Sequence, residues 1–111
     1  MADCIFCQIV ENRVPVPRLY EDDQLIVIAD KYPKAPVHAL VITRDHIASL
    51  TDVKPDQAPL LAHALAILPE VARTLGLADG FRTIINTGPG GGQEIPHLHI
   101  HVLGGGRLPG F

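Results

Sequence analysis

The sequence predicts an α+β domain built on a mainly antiparallel sheet, and three observations carry that reading. Residues 97–103 alternate imidazole and aliphatic side chains with a period of two, the pattern of a half-buried strand. Four shorter runs, at 18–21, 25–29, 38–43 and 81–86, also read as strands. The resulting order, one short helix, three strands, a long helix and two strands, is that of an α+β domain. The 111 residues make a single domain, long enough to bury roughly two thirds of the unfolded chain's surface.

Composition narrows the class. Hydrophobic residues are 47% of the chain, which excludes disorder as the default state. No apolar run approaches the roughly 18 residues of a membrane span, and the N-terminus lacks a basic, apolar signal segment. The expectation is a cytoplasmic protein without a membrane partner. A net charge of −3 argues against nucleic acid as a partner, since general binding wants a basic patch. A small phosphorylated ligand stays compatible, because backbone N–H groups and local charges suffice for it. In that compartment the two cysteines are thiolate ligands or free thiols rather than a structural disulfide.

Taken in order, Asp3 can cap a short helix over 4–10, with Ile5, Phe6, Ile9 and Val10 on its apolar side. Residues 14–17, Val-Pro-Val-Pro, stop it. The runs 18–21 and 25–29 form a hairpin turned at Asp22-Asp23, residues 31–36 a loop, and 38–43 a largely buried third strand. Residues 44–50 form a helical turn or short loop. Leu61, Leu65, Leu68, Ala72 and Leu75 recur at helical spacing within 56–77, and Gly76 marks the end. Pro69 falls inside that pattern and predicts a kink or the loss of one hydrogen bond. His63, in the polar part of this helix, is expected to be exposed. A turn at 78–80 leads to the strand 81–86, residues 87–93 form a glycine-rich loop, and 104–111 a flexible tail.

The chemistry gathers at the last strand. On a strand His97, His99 and His101 share one face, spaced about 6.5 to 7 Å apart, while Leu98, Ile100 and Val102 point into the core. A helix would scatter the three rings. One histidine in a strand is ordinarily a satisfied polar residue; three on one face line a cleft. Gly88, Gly90, Gly91 and Gly92 precede Gln93, and their bare backbone can approach a phosphate and offer N–H donors. The loop is neither a Walker A motif nor a Rossmann fingerprint, since no Gly-Lys-Ser/Thr follows and it leads into a strand. Standing alone it would be a hairpin connection. Joined to a histidine strand it supplies donors beside a nucleophile. Neutral imidazole attacks phosphorus near pH 7, giving a phosphoramidate-type intermediate that water hydrolyses. His99 fits the nucleophile, and His101 with the glycine loop the donors.

Residues 91–103, Gly-Gly-Gln-Glu-Ile-Pro-His-Leu-His-Ile-His-Val-Leu, resemble the signature of the histidine-triad (HIT) family. The similarity extends to Ile5-Phe6, to residues 20–23, 35–42, His46-Ile47 and 86–88, in order along nearly the whole chain. It is strongest to the histidine triad nucleotide-binding, purine nucleoside phosphoramidase branch. The resemblance implies a HIT fold, a five-stranded sheet with one long and one short helix, extended to ten strands in a homodimer. It also implies hydrolysis of purine nucleoside 5′-phosphoramidates through a nucleotidyl-histidine on His99, releasing AMP or GMP and an amine. Alternatives are hydrolysis of dinucleoside polyphosphates, or a nucleotide-binding regulator with vestigial hydrolysis.

By position, the resemblance makes His101 the phosphate-contacting histidine, His97 the first of the triad and His38 a supporting histidine. It places Asn86, Gly92, Gln93 and Glu94 on the phosphate side, and gives Asp30 the ribose hydroxyls. Phe6, Ile9, Val14 and Ile28 become the purine pocket. Without that framework Phe6 would be core and Asp30 a strand-ending turn residue. Two positions depart from the family pattern: Glu94 stands where Ser is common, and Lys31 replaces an apolar residue beside the base. Cys4 and Cys7 form a Cys-x-x-Cys too near the start of the chain for a thioredoxin-like frame. The resemblance implies that Cys4, Cys7, His46 and His97 hold a structural zinc, with no metal in the chemical step; two free thiols packed in the helix are the alternative.

Overall fold

The computed structural model describes residues 4–110. Helix α1 spans Ile5–Val10, and strands β1, β2 and β3 span Tyr20–Glu21, Leu25–Ala29 and Val37–Thr43. Helices α2 and α3 span Ala58–Ala66 and Leu68–Thr74, and β4 and β5 span Arg82–Ile84 and His99–Gly104. The strands form one sheet in the order β1-β2-β3-β5-β4, every neighbouring pair antiparallel.

Local chemistry explains the boundaries. Asp3 lies outside the described residues; the cap of α1 is Cys4, whose sulfur accepts the Cys7 N–H at 3.4 Å. The helix ends before its prolines. Asn12 takes a positive φ of 62°, tolerable for Asn, and Arg13 returns its N–H to the Gln8 carbonyl at 2.9 Å. Arg18 then donates from one nitrogen to the Ile9 and Val10 carbonyls, holding the helix end against the chain entering β1. At the β1–β2 turn, Asp22 Oδ1 accepts the N–H groups of Gln24 and Leu25 at 2.8 and 2.9 Å, an Asx turn.

The predicted long helix is two helices. Pro69 has no N–H to return to Leu65, and the chain flattens at Ile67 (φ −82°, ψ −13°) between α2 and α3. Flanking bonds survive, Ile67 N–H to His63 and Val71 N–H to Ile67, so the break is local. Residues 44–49 are loop, followed by a 3₁₀ turn at Leu50–Asp52. Gly104, expected in the tail, closes β5: an added Cβ would sit 2.8 Å from Leu77 Cδ2 and 3.3 Å from the Gly80 carbonyl, so only glycine lets the strand pass there.

The sheet has two buried faces. Leu25, Val27, Ala39, Val41, Ile100 and Val102 pack with residues of α2 and α3 in one apolar cluster. Ile26, Ile28, Leu40 and Ile42 pack with Phe6 and Ile9 of α1 in the other. In the register, His99 lies opposite Ile42 and His101 opposite Leu40. The imidazoles therefore emerge on the α1 face, as the alternation predicts. Ile5, assigned above to the apolar side of α1, is instead 40% exposed. Among the described residues no helix is long and apolar enough to cross a membrane.

Candidate functional site

The site is built on the α1 face of β3 and β5. His99 donates Nδ1–H to the His97 carbonyl, 2.6 Å away, because a carbonyl can only accept. In the neutral ring Nε2 then carries the lone pair. No described residue bonds Nε2, and among the described residues no buried side-chain nitrogen lacks a partner, so Nε2 touches the surface although His99 as a whole is only 7% exposed. The Phe6 ring meets that of His99 edge-on, centroids 5.1 Å apart, and fixes its plane.

A second chain of hydrogen bonds sets the tautomer of His101. The Lys34 N–H donates to His38 Nδ1 at 3.0 Å, so His38 carries a proton on Nε2. That nitrogen lies 2.9 Å from His101 Nδ1 and 3.3 Å from Asp30 Oδ2. His101 Nδ1 must accept, and the one proton of neutral His101 sits on Nε2. Burial, with the His99 and His38 rings beside it, pushes His101 down to about 4, and burial lowers His38 as well. Both rings are neutral at pH 7. The pair of neighbouring imidazoles thus presents a lone pair on His99 and an N–H on His101, with ring centroids 5.1 Å apart.

His97 departs from its predicted place. It lies on the same side of the sheet but before β5, in a bend where its N–H bonds Ile95 and the Leu98 N–H bonds Ile47. Its ring is wholly buried rather than lining the opening. Nε2–H donates to the Thr43 carbonyl at 2.7 Å, leaving the Nδ1 lone pair 3.2 Å from Cys4 Sγ and 3.5 Å from Cys7 Sγ. His46 Nδ1 stands 3.2 Å from Cys7 Sγ. The four donor atoms of Cys4, Cys7, His46 and His97 all lie within 4.8 Å of one another, a Cys₂His₂ set that can hold a metal ion. The carbonyl behind His97 is the kind of outer partner that orients a metal-binding imidazole. Burial, then the neighbouring Cys4, pushes the Cys7 thiol up to about 11, so metal uptake here must release a proton. Asp30, His38 and His101 also cluster within 4.8 Å, but His38 cannot give a metal its Nε2 lone pair while Nδ1 accepts from Lys34.

The glycine loop differs from an open cradle. The N–H groups of Gly91 and Gln93 bond Gly88, that of Gly92 bonds Pro89, and that of Gly88 bonds Gln93 Oε1. The amide of Gln93 donates to the Ala48 and Ile95 carbonyls, and that of Asn86 to Gly91. Asn86, Gly92 and Gln93 thereby hold the loop's shape. Glu94 is exposed and makes no hydrogen bond or ion pair among the described residues. Phe6, Ile9 and Ile28 are buried together, with Val14 half-buried at their edge. Sequence reasoning missed Thr43 and the Lys34 N–H, which act through backbone atoms that carry no residue signature. It also missed that His63 is half-buried and paired with Asp22 at 2.6 Å, on a carboxylate that Tyr20 also bonds.

A family model described as "Scavenger mRNA decapping enzyme C-term binding" matches residues 3–107. Protein HitA of Neisseria gonorrhoeae is 46% identical over 104 residues, covering 94% of this chain and 97% of that protein. A histidine triad protein from Clostridium difficile superposes with a TM-score of 0.95 at 38% identity, covering 100% of this chain and 97% of that one. A HIT family hydrolase from Legionella pneumophila superposes at 0.92, also 38% identical, covering 96% of each. With its sheet order, its paired imidazoles and these relatives in agreement, the chain belongs to the histidine-triad (HIT) family.

Proposed function

We propose that this chain is a nucleotide hydrolase that cleaves purine nucleoside 5′-phosphoramidates through His99. The observation that carries the reading is the complementary pair of tautomers: an unpartnered lone pair on His99 beside an N–H on His101. Nε2 of His99 attacks the α-phosphorus, the P–N bond to the leaving amine breaks, and the amine departs with a proton from solvent, which the attacking water of the next step gives back. Water then attacks phosphorus, the P–Nε2 bond breaks, and the nucleoside monophosphate leaves with His99 restored. His101 Nε2–H donates to the phosphoryl oxygens as charge builds on them. Because the glycine loop spends most of its N–H groups on itself, its part is to set the wall beside the phosphate, in a shape that the Asn86 amide holds through the Gly91 carbonyl. Asp30 takes the ribose hydroxyls, and Phe6, Ile9, Val14 and Ile28 the purine.

Zinc at Cys4, Cys7, His46 and His97 belongs to the same reading. It would pin α1 to the entry of β5 and supply structure rather than chemistry. A homodimer also belongs to it: β1 and β4 are the sheet's edges, and the exposed Phe81, just before β4, and Ile84, its last residue, would be covered if two sheets joined there.

The test is turnover of a fluorogenic AMP-amide against a diadenosine polyphosphate, by wild type and His99→Ala. The expected result is preference for the amide and a loss of about 10³-fold or more in the variant. Preference for the polyphosphate would reassign the substrate. AMP binding without any labelling of His99 in a single turnover would make the chain a binding protein.

A further inference from the structure

Cys4 and Cys7 lie outside the chemistry assigned to His99, yet they touch what holds that ring. Their Cys-x-x-Cys has no thioredoxin-like frame, but the fold brings the sulfurs together. Cys4 caps α1, the Cys7 N–H meets its sulfur at 3.4 Å, and the two Sγ atoms lie within 4.8 Å of each other as free thiols. His97 joins the pair to the nucleophile. Its Nε2–H goes to the Thr43 carbonyl, so Nδ1 must accept, and the thiols of Cys4 at 3.2 Å and Cys7 at 3.5 Å are within its reach. Among the described residues nothing else bonds that nitrogen, and the wholly buried ring is closed to solvent. The His97 carbonyl in turn accepts the His99 Nδ1–H at 2.6 Å. Phe6, between the two cysteines in the chain, meets both rings edge-on, its centroid 5.8 Å from that of His97 and 5.1 Å from that of His99.

We propose that Cys4 and Cys7 are a redox-modification site, closed to a disulfide by small disulfides of the glutathione class, and that closure releases His99 from its fixed orientation. The sulfur of Cys4, the less buried of the two, attacks one sulfur of the small disulfide and expels a thiol. The Cys7 sulfur then attacks the Cys4 sulfur of the mixed disulfide and expels the second thiol. The pair loses two hydrogens and two electrons, which leave on the two small thiols. Reduced thiols, or a metal held by them, satisfy His97 Nδ1; a disulfide has no hydrogen to give and leaves it buried without a partner. Exchanging the tautomer does not help, because Nε2 would then face the Thr43 carbonyl without a hydrogen. The ring must move, and the bend that carries its carbonyl moves with it. Closure also excludes metal, since only the nitrogens of His46 and His97 remain as donors. The effect on turnover rests on the hydrolase reading above; the effect on the His99 ring does not.

The test uses the full chain as purified, equilibrated with reduced or with oxidised glutathione, EDTA being present in both to take up metal that leaves. Mass spectrometry should show the oxidised chain two hydrogens lighter, with no glutathione attached. Turnover of the AMP-amide should fall about tenfold or more in kcat, the scale of a slightly misplaced reacting atom, and dithiothreitol should restore it. A readout without turnover is the His99 Nδ1–H proton resonance, which should shift or broaden on oxidation and return on reduction. Cys4→Ser keeps a helix cap and a hydroxyl hydrogen for His97, and its kcat and His99 resonance should be the same in both buffers. A stable glutathione adduct in place of the disulfide, a closed disulfide with the His99 resonance unmoved, a loss confined to KM, or an equal oxidative loss in Cys4→Ser would overturn the proposal. So would collapse of the whole amide spectrum, which would make the bond a lesion rather than a switch. A reversible His99 shift in a chain that turns over no AMP-amide in either buffer would sink the phosphoramidase reading and leave this switch standing.

Discussion

Replacing His101 by Gln tests whether its surroundings hold the ring neutral, the condition on which its role as an N–H donor depends. Burial first, then the His99 and His38 rings, lowers it from 6.5 to about 4. Between those values the unfolded chain binds a proton at this ring that the folded chain refuses. The stabilisation is therefore fully present above the ordinary histidine value and is lost as pH falls toward about 4. Integrated from about pH 7 to pH 4.5, the loss comes to about 2 kcal/mol. Burial lowers His38 and His97 as well, with the same sign, so wild type alone cannot isolate His101. The difference between wild type and His101→Gln can, since contributions common to both cancel. Urea unfolding of both at about pH 7, 5.5 and 4.5 supplies the free energies from midpoints and slopes. The wild type's advantage over the variant should shrink by about 2 kcal/mol across that range. A gap that stays constant would mean that His101 takes up its proton in the folded chain as readily as in the unfolded one. The tautomer argument for the site would fail with it.

Four further outcomes follow from the packing, the hydrogen bonds and the Cys/His cluster. Gly104→Ala should cost about 1–3 kcal/mol in urea unfolding, because its Cβ meets a Leu77 side chain that is itself 1% exposed; unchanged stability would show that Leu77 has somewhere to go. Asp22→Ala should cost about 2–3 kcal/mol, since it strands the N–H groups of Gln24 and Leu25 and removes the partner of His63. In the same variant the Tyr20 phenol, raised to about 12 chiefly by its bond to Asp22, should return toward 10 in an ultraviolet titration. Purified wild type should carry about one zinc per chain and Cys4→Ser much less; a metal-free, well-folded wild type would end the zinc reading.

What the sequence revealed and what it hid divide along physical lines. The alternation at 98–102 was legible because side-chain direction on a strand follows from covalent geometry alone, and Ile100 and Val102 do face the α2–α3 side. The break near Pro69 was legible for the same reason, a missing N–H being a property of the residue. The place where β5 begins was not. A period of two continues through His97, yet the Leu98 N–H goes to Ile47, a partner fixed only by how a distant loop folds. His97 thus falls off the strand, its ring sealed against the two thiols with which the family resemblance had grouped it. The same limit explains the glycine loop. Its composition announces backbone freedom, but whether an N–H faces a ligand or a neighbouring carbonyl depends on the turn adopted, and here the Gly88 and Pro89 carbonyls take three of them. The donor that remains beside the nucleophile is an imidazole. Its direction is set by the Lys34 N–H, an atom every residue but proline possesses, so the feature that most determines what this site can do has no letter in the sequence.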